Sequence, residues 1–155
     1  MSQTPTIRSF FEEDHDRLDH LFVSARAQRE SDPAQARGAF AQFRAGLERH
    51  IVWEEQVLFP IWEQKTGMAQ VGPTAVMRAE HRQIHHLLDR VQATLSEQTA
   101  ESAAVAQALG DLLASHNMKE ERVLYPAIDQ AVSAEERAAV FRAIHETSPG
   151  REGCA

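Results

Sequence analysis

The sequence predicts an all-α protein, an up-down-up-down four-helix bundle with a short fifth helix at its C-terminus. Three observations predict it. Helix-favouring residues are plentiful, aromatics make up only 6% of the 155 residues, and no segment alternates apolar and polar side chains between turn signals as a strand does. Four long segments carry apolar residues at three- and four-residue spacing. The chain also repeats itself: His50, Glu54, Glu55, Val57, Leu58, Pro60 and Gln64 recur as His116, Glu120, Glu121, Val123, Leu124, Pro126 and Gln130, each 66 positions on (116 − 50). His15 and His81 share that offset. Such a repeat marks a duplicated two-helix unit, and four helices with short links pack most economically as a bundle.

The elements follow in order. After a polar leader, a first helix spans about 7 to 29, with Phe11, Leu18, Leu21, Phe22 and Ala25 on one stripe and His15 on the same stripe. Asp32 suits an N-cap and Pro33 the first position of a second helix, which runs to about 65. Its stripe is Phe40, Phe43, Leu47, His50, Ile51, Glu54, Leu58 and Ile61. Pro60 lacks a backbone donor and is expected to kink the helix or loosen its last turn. Gly67 ends it. Pro73 opens a third helix to about 97, with Val76, Met77, His81, Ile84, His85, Leu88 and Val91 inward. A link over 98 to 102 leads to a fourth helix ending near 130. Val105, Leu109, Leu112, Leu113, His116, Glu120, Val123, Leu124 and Ile128 form its stripe, and Pro126 repeats the kink. Ser133 and Glu136 form a capping box for a fifth helix to about 146. The domain therefore spans 1 to 148, and 149 to 155 reads as a disordered tail.

Composition excludes several classes. The net charge is −7, and no run of Lys or Arg offers a nucleic-acid or anionic-membrane footprint. No apolar run nears the ~20 residues that span a bilayer, and no secretory leader precedes the first helix. The cytoplasm is the expected location. The single cysteine, Cys154, rules out four-cysteine metal sites and reads as a tail thiol.

Eight histidines remain to be placed. Residues i and i+4 of a helix project about 40° apart and about 6 Å along the axis. His50 with Glu54, and His116 with Glu120, therefore point the same way from successive turns. With His15 and His81 at similar depth, four imidazoles and two carboxylates surround one cavity. Bundle cores build metal sites in this way, and two ions about 3.5–4 Å apart fit the ligand count. Iron, zinc and other first-row metals all accept the set. Without metal, several buried ionisable groups would each cost several kcal/mol. Glu55 and Glu121 point about 100° away. They either accept hydrogen bonds from ligand imidazoles on neighbouring helices or stand as solvated or ion-paired carboxylates. His20 and His86 read as helix flanks, and His145 as a surface residue. Tyr125, Trp53 and Trp62 either border the cavity or pack in the core.

The same residues resemble the hemerythrin-like, or HHE cation-binding, family. The carrying segments are Asp14-His15 with Leu18, Leu21 and Phe22; His50 to Glu54-Glu55 running into Pro60; Glu80-His81 with Ile84; and His116 to Glu120-Glu121 running into Pro126. The resemblance implies a bundle holding two non-haem irons, Fe2+ or Fe3+, with room for an oxo or hydroxo bridge. It implies His15, His50, His81 and His116 as ligands and Glu54 and Glu120 as bridges. Oxygen-carrying members add a second His one turn along the third helix. His85 holds that place and is the expected seventh ligand, with its repeat counterpart Asp19 as the alternative. Those carriers place an Asp five after the fourth helix's His, where this chain has Glu120 at four and Glu121 at five. The chain is in that respect similar to the broader bacterial group tied to iron-centre repair, peroxide handling and iron sensing.

Three functions compete. The first is a di-iron protein binding or reacting with dioxygen, peroxide or nitric oxide, by turnover or by simple binding. The second is an iron-responsive, storage or sensing module without turnover. The third, a zinc hydrolase, lacks an additional general base. A ferritin-type centre needs Glu-x-x-His on two helices, and Glu12-x-x-His15 has no match in the other half, where Arg78 stands.

Overall fold

The computed structural model describes residues 3–148. Helix α1 is Ile7–Ala27, opened by a capping box between Thr6 and Ser9. Its first two amides also donate to Asp129, Ile7 to Oδ1 at 2.8 Å and Arg8 to Oδ2 at 3.0 Å. A carboxylate far along the chain thus satisfies the orphan donors and the positive end of α1. Helix α2 is Pro33–Trp53, with Asp32 as N-cap. It continues through a five-residue π-helical turn, Glu54–Leu58, into α3, Phe59–Thr66. Gly67, at φ 71°, ends α3 in the left-handed region that suits glycine. Helix α4 is Pro73–Ala93. Helix α5, Ala100–Lys119, passes through a second π turn, Glu120–Leu124, into α6, Tyr125–Ala131. Helix α7 is Ala134–Thr147, with the expected Ser133–Glu136 capping box. Four long helical passes and a short fifth helix thus pack as a bundle, and no strand occurs among the described residues.

Several expectations change. The prolines do not simply kink their helices. A π turn precedes each one and places Pro60 and Pro126 in the first turn of a fresh helix, where no amide is required. Arg78 donates to the Glu55 carbonyl at 3.2 Å. Helix α5 begins at Ala100, earlier than expected, because Thr99 and Ser102 form a capping box. Helix α4 stops at Ala93 rather than near 97. Val76 and Val123 face outward, 49% and 61% exposed. Val123 lies inside a π turn, where the 3.6-residue register no longer holds. Cys154 and the expected tail lie outside the described residues.

The core is split. One apolar cluster includes Leu18, Phe22, Phe43, Leu47, Ile84, Leu88 and Leu109. The other includes Ile7, Phe11, Leu58, Phe59, Met77, Leu124, Tyr125 and Ile128, closed by Val140 and Ile144 of α7. Along α1 the order is Phe11, His15, Leu18; along α4 it is Met77, His81, Ile84. Along α5 and its π turn it is Leu113, His116, Glu120, Leu124. Each pass crosses from one cluster to the other through a buried polar position.

Candidate metal centre

That polar layer holds His15, His50, Glu54, His81, His116 and Glu120, each no more than 3% exposed. Ligand atoms of Glu54, His81, His116 and Glu120 lie within 4.8 Å of one another, and so do those of His15, His50 and Glu120. The two groups share Glu120, and the repeat relates them: the His15 and His50 rings are 4.7 Å apart, the His81 and His116 rings 4.9 Å.

Three of the four imidazoles are aimed by a carboxylate behind them. His15 Nδ1 bonds Glu121 Oε1 at 2.8 Å, and its counterpart His81 Nδ1 bonds Glu55 Oε1 at 2.8 Å. His50 Nδ1 bonds Asp14 Oδ2 at 2.8 Å. The fourth pair is looser. His116 Nδ1 stands 3.6 Å from Glu80 Oε2, because Lys119 draws the other oxygen of Glu80 to itself. With Nδ1 of His15, His50 and His81 occupied on the outside, Nε2 is turned inward, the arrangement that presents an imidazole lone pair to a metal.

The inward atoms are poorly served without a cation. Glu54 Oε2, His81 Nε2 and both oxygens of Glu120 are buried with no hydrogen-bond partner. Yet His81 Nε2 is 3.1 Å from Glu54 Oε2, and His116 Nε2 is 3.1 Å from Glu120 Oε1. These pairs are close but misaligned for hydrogen bonds. They converge on common points, and imidazole with carboxylate is a donor set that first-row cations accept. In the absence of metal, protons substitute. Burial opposes a charge on His50, but Glu54 and Asp14 overcome it and lift its pKa to about 10. Burial likewise opposes a charge on His81, and Glu54 and Glu55 lift it to about 9. Burial also works against ionised Glu54. Its contacts with Glu120, His50 and His81 nevertheless hold it well below the usual carboxylate range.

A sequence model of the hemerythrin HHE cation-binding domain matches residues 6–147. The chain belongs to the hemerythrin HHE cation-binding family. Its relatives include the iron-sulfur cluster repair protein YtfE of Edwardsiella ictaluri, 31% identical over 93 residues, which are 54% of this chain and 42% of that one. YtfE of Escherichia coli O1:K1 is 31% identical over 90 residues, 52% of this chain and 40% of the relative. A DNA nickase of a Nostoc strain is 28% identical over 134 residues, 86% of this chain and 36% of the relative. The chain thus spans about two fifths of the length of these curated relatives. No solved structure matches it significantly. None of its helices is long and apolar enough to cross a membrane, among the described residues.

Of the seven HHE-type ligands expected from sequence, six converge. His85 belongs to neither group. It is half-buried and lies on the α4 face of Asp89, four residues on, whose side chain is 69% exposed. Its alternative, Asp19, is exposed, as are His20, His86 and His145. Glu55 and Glu121 take the hydrogen-bonding reading. Asp14 and Glu80 are additions, and the signal for them was present: an acidic residue precedes the lone His in both copies.

Proposed function

We propose that the chain holds two non-haem irons and binds or reacts with dioxygen, peroxide or nitric oxide. In this reading His15 and His50 serve one ion, His81 and His116 the other, and Glu54 and Glu120 lie between them. The observation that carries it is the pair of ligand groups sharing Glu120, with inward carboxylate oxygens that have no other partner. Family membership and the name of the YtfE relatives, iron-sulfur cluster repair protein, support iron over other first-row metals.

Iron, when bound, supplies electrons and a coordination position for a small ligand. The protein's part is positioning and exclusion of water. Glu55, Glu121 and Asp14 fix three imidazoles before any metal arrives, so little reorganisation accompanies binding. Phe11 packs edge-on against His50, 5.2 Å between ring centroids, and Phe59 stacks on His81 at 5.8 Å. These rings keep bulk water from the inner faces of the imidazoles. The test is to expose reduced, iron-loaded protein separately to dioxygen, hydrogen peroxide and nitric oxide. Altered near-ultraviolet or visible absorbance with at least one is expected. A spectrum that none of the three alters overturns the reading.

A further inference from the structure

The six inward His and Glu residues match between the two halves, but one hydroxyl beside them does not. Tyr125 stands where the first repeat has Phe59. Phe59 lies flat on His81, the planes at 6°. Tyr125 is fully buried and sends its hydroxyl into the other half of the centre. That hydroxyl donates to Glu54 Oε1 at 2.6 Å and stands 3.4 Å from Nε2 of both His15 and His50. Its single proton is committed to Glu54, so its lone pairs face the same space as the two inward Nε2 atoms. The spacing is that of the carboxylates themselves: His15 Nε2 is 3.4 Å from Glu120 Oε1, and His50 Nε2 is 3.6 Å from Glu54 Oε1. Donor atoms about 2.1 Å from a shared first-row ion and at right angles to each other lie about 3 Å apart.

Resting on the di-iron reading above, we propose that Tyr125 is an additional ligand. Its phenolate oxygen joins His15 and His50 on one side, so the two metal positions are chemically unequal. On ligation the O–H bond breaks, the proton leaves to solvent, and the oxygen's electron pair forms the bond to the cation. No electron is transferred. Without a cation, burial and the neighbouring Glu120 and Glu54 keep the phenol protonated; a bound cation reverses that preference.

Tyr125 is the only tyrosine in the chain, so a tyrosinate signal has one source. Ferric protein of measured iron content should show a phenolate-to-iron charge-transfer band in the visible. Resonance Raman excitation within it should enhance phenolate ring modes that shift when the protein is grown on ring-deuterated tyrosine. Tyr125→Phe should keep its helicity and iron content and lose the band. Iron bound with no phenolate modes in the wild-type protein overturns this inference and leaves the di-iron reading standing. A chain that binds no iron under any loading overturns both. The labelled wild-type spectrum decides the matter even if the variant folds poorly.

Discussion

His15 and Glu121 are joined by a 2.8 Å contact from Nδ1 to Oε1 across 106 residues of sequence. His81 and Glu55 reproduce it in the other half, also at 2.8 Å. In these two pairs the carboxylate that aims the imidazole comes from the other copy of the repeat. Glu121→Gln keeps the shape and weakens the acceptor. Metal affinity is expected to fall by roughly 10-fold, within the 10–100-fold range of such losses. Competition against a chelator of known strength measures it, and unchanged affinity would show that Glu121 does not position His15.

The charges on His50 and His81 give a pH dependence with a definite sign. Both pKa values are raised above the ordinary 6.5, to about 10 and about 9. Their contribution to the stability of metal-free protein is complete below pH ~6.5 and is lost as pH rises through 9 to 10. The melting temperature of metal-free protein should therefore drop above pH ~9. Metal-loaded protein, whose ligands must be deprotonated, should lack that drop. Metal binding at neutral pH should also release protons. Calorimetry in buffers of different ionisation enthalpy reads that release directly.

Removing metal should loosen the layer between the two apolar clusters. A ligand present at 100 times its dissociation constant stabilises by about 2.7 kcal/mol. For a chain of this size that is roughly 5–10 °C in melting temperature. Thermal denaturation followed by circular dichroism, with and without a chelator, tests it. Identical curves for iron-loaded and stripped protein would mean that folding and metal are uncoupled.

Gly46 sets the approach of α1 to α2. A Cβ there would lie 2.6 Å from Leu18 Cδ2, and Leu18 is buried. Gly46→Val should cost about 1–3 kcal/mol through overpacking, and should lower the melting temperature while His15 and His50 still bind metal. A variant as stable as the parent would show that the two helices have slack there.

Much of the site was legible in the chain. His15, His50, Glu54, His81, His116 and Glu120 interrupt apolar stripes at one constant offset, and interruption of a buried stripe by ionisable groups calls for a common partner. The helices were legible for the same reason, since periodicity and caps are local. What escaped depends on packing. Asp14 and Glu80 each sit one residue before an inward histidine, so helical geometry alone turns them away from the cavity. Only the neighbouring helix brings Asp14 to His50. The π turns at Glu54 and Glu120 leave no mark in the periodicity, and they explain why Val123 faces out. His85 shows the converse. A place one turn along a helix does not ensure convergence: His85 stays half-buried and outside both ligand groups.

The stoichiometry of iron tests the central claim most directly. Protein loaded with iron under anaerobic conditions, desalted and analysed for metal should carry two irons per chain. Glu120→Ala, which removes the carboxylate common to both ligand groups, should carry fewer. Wild-type protein that retains one iron or none, or a variant that retains two as tightly as the parent, would contradict the account.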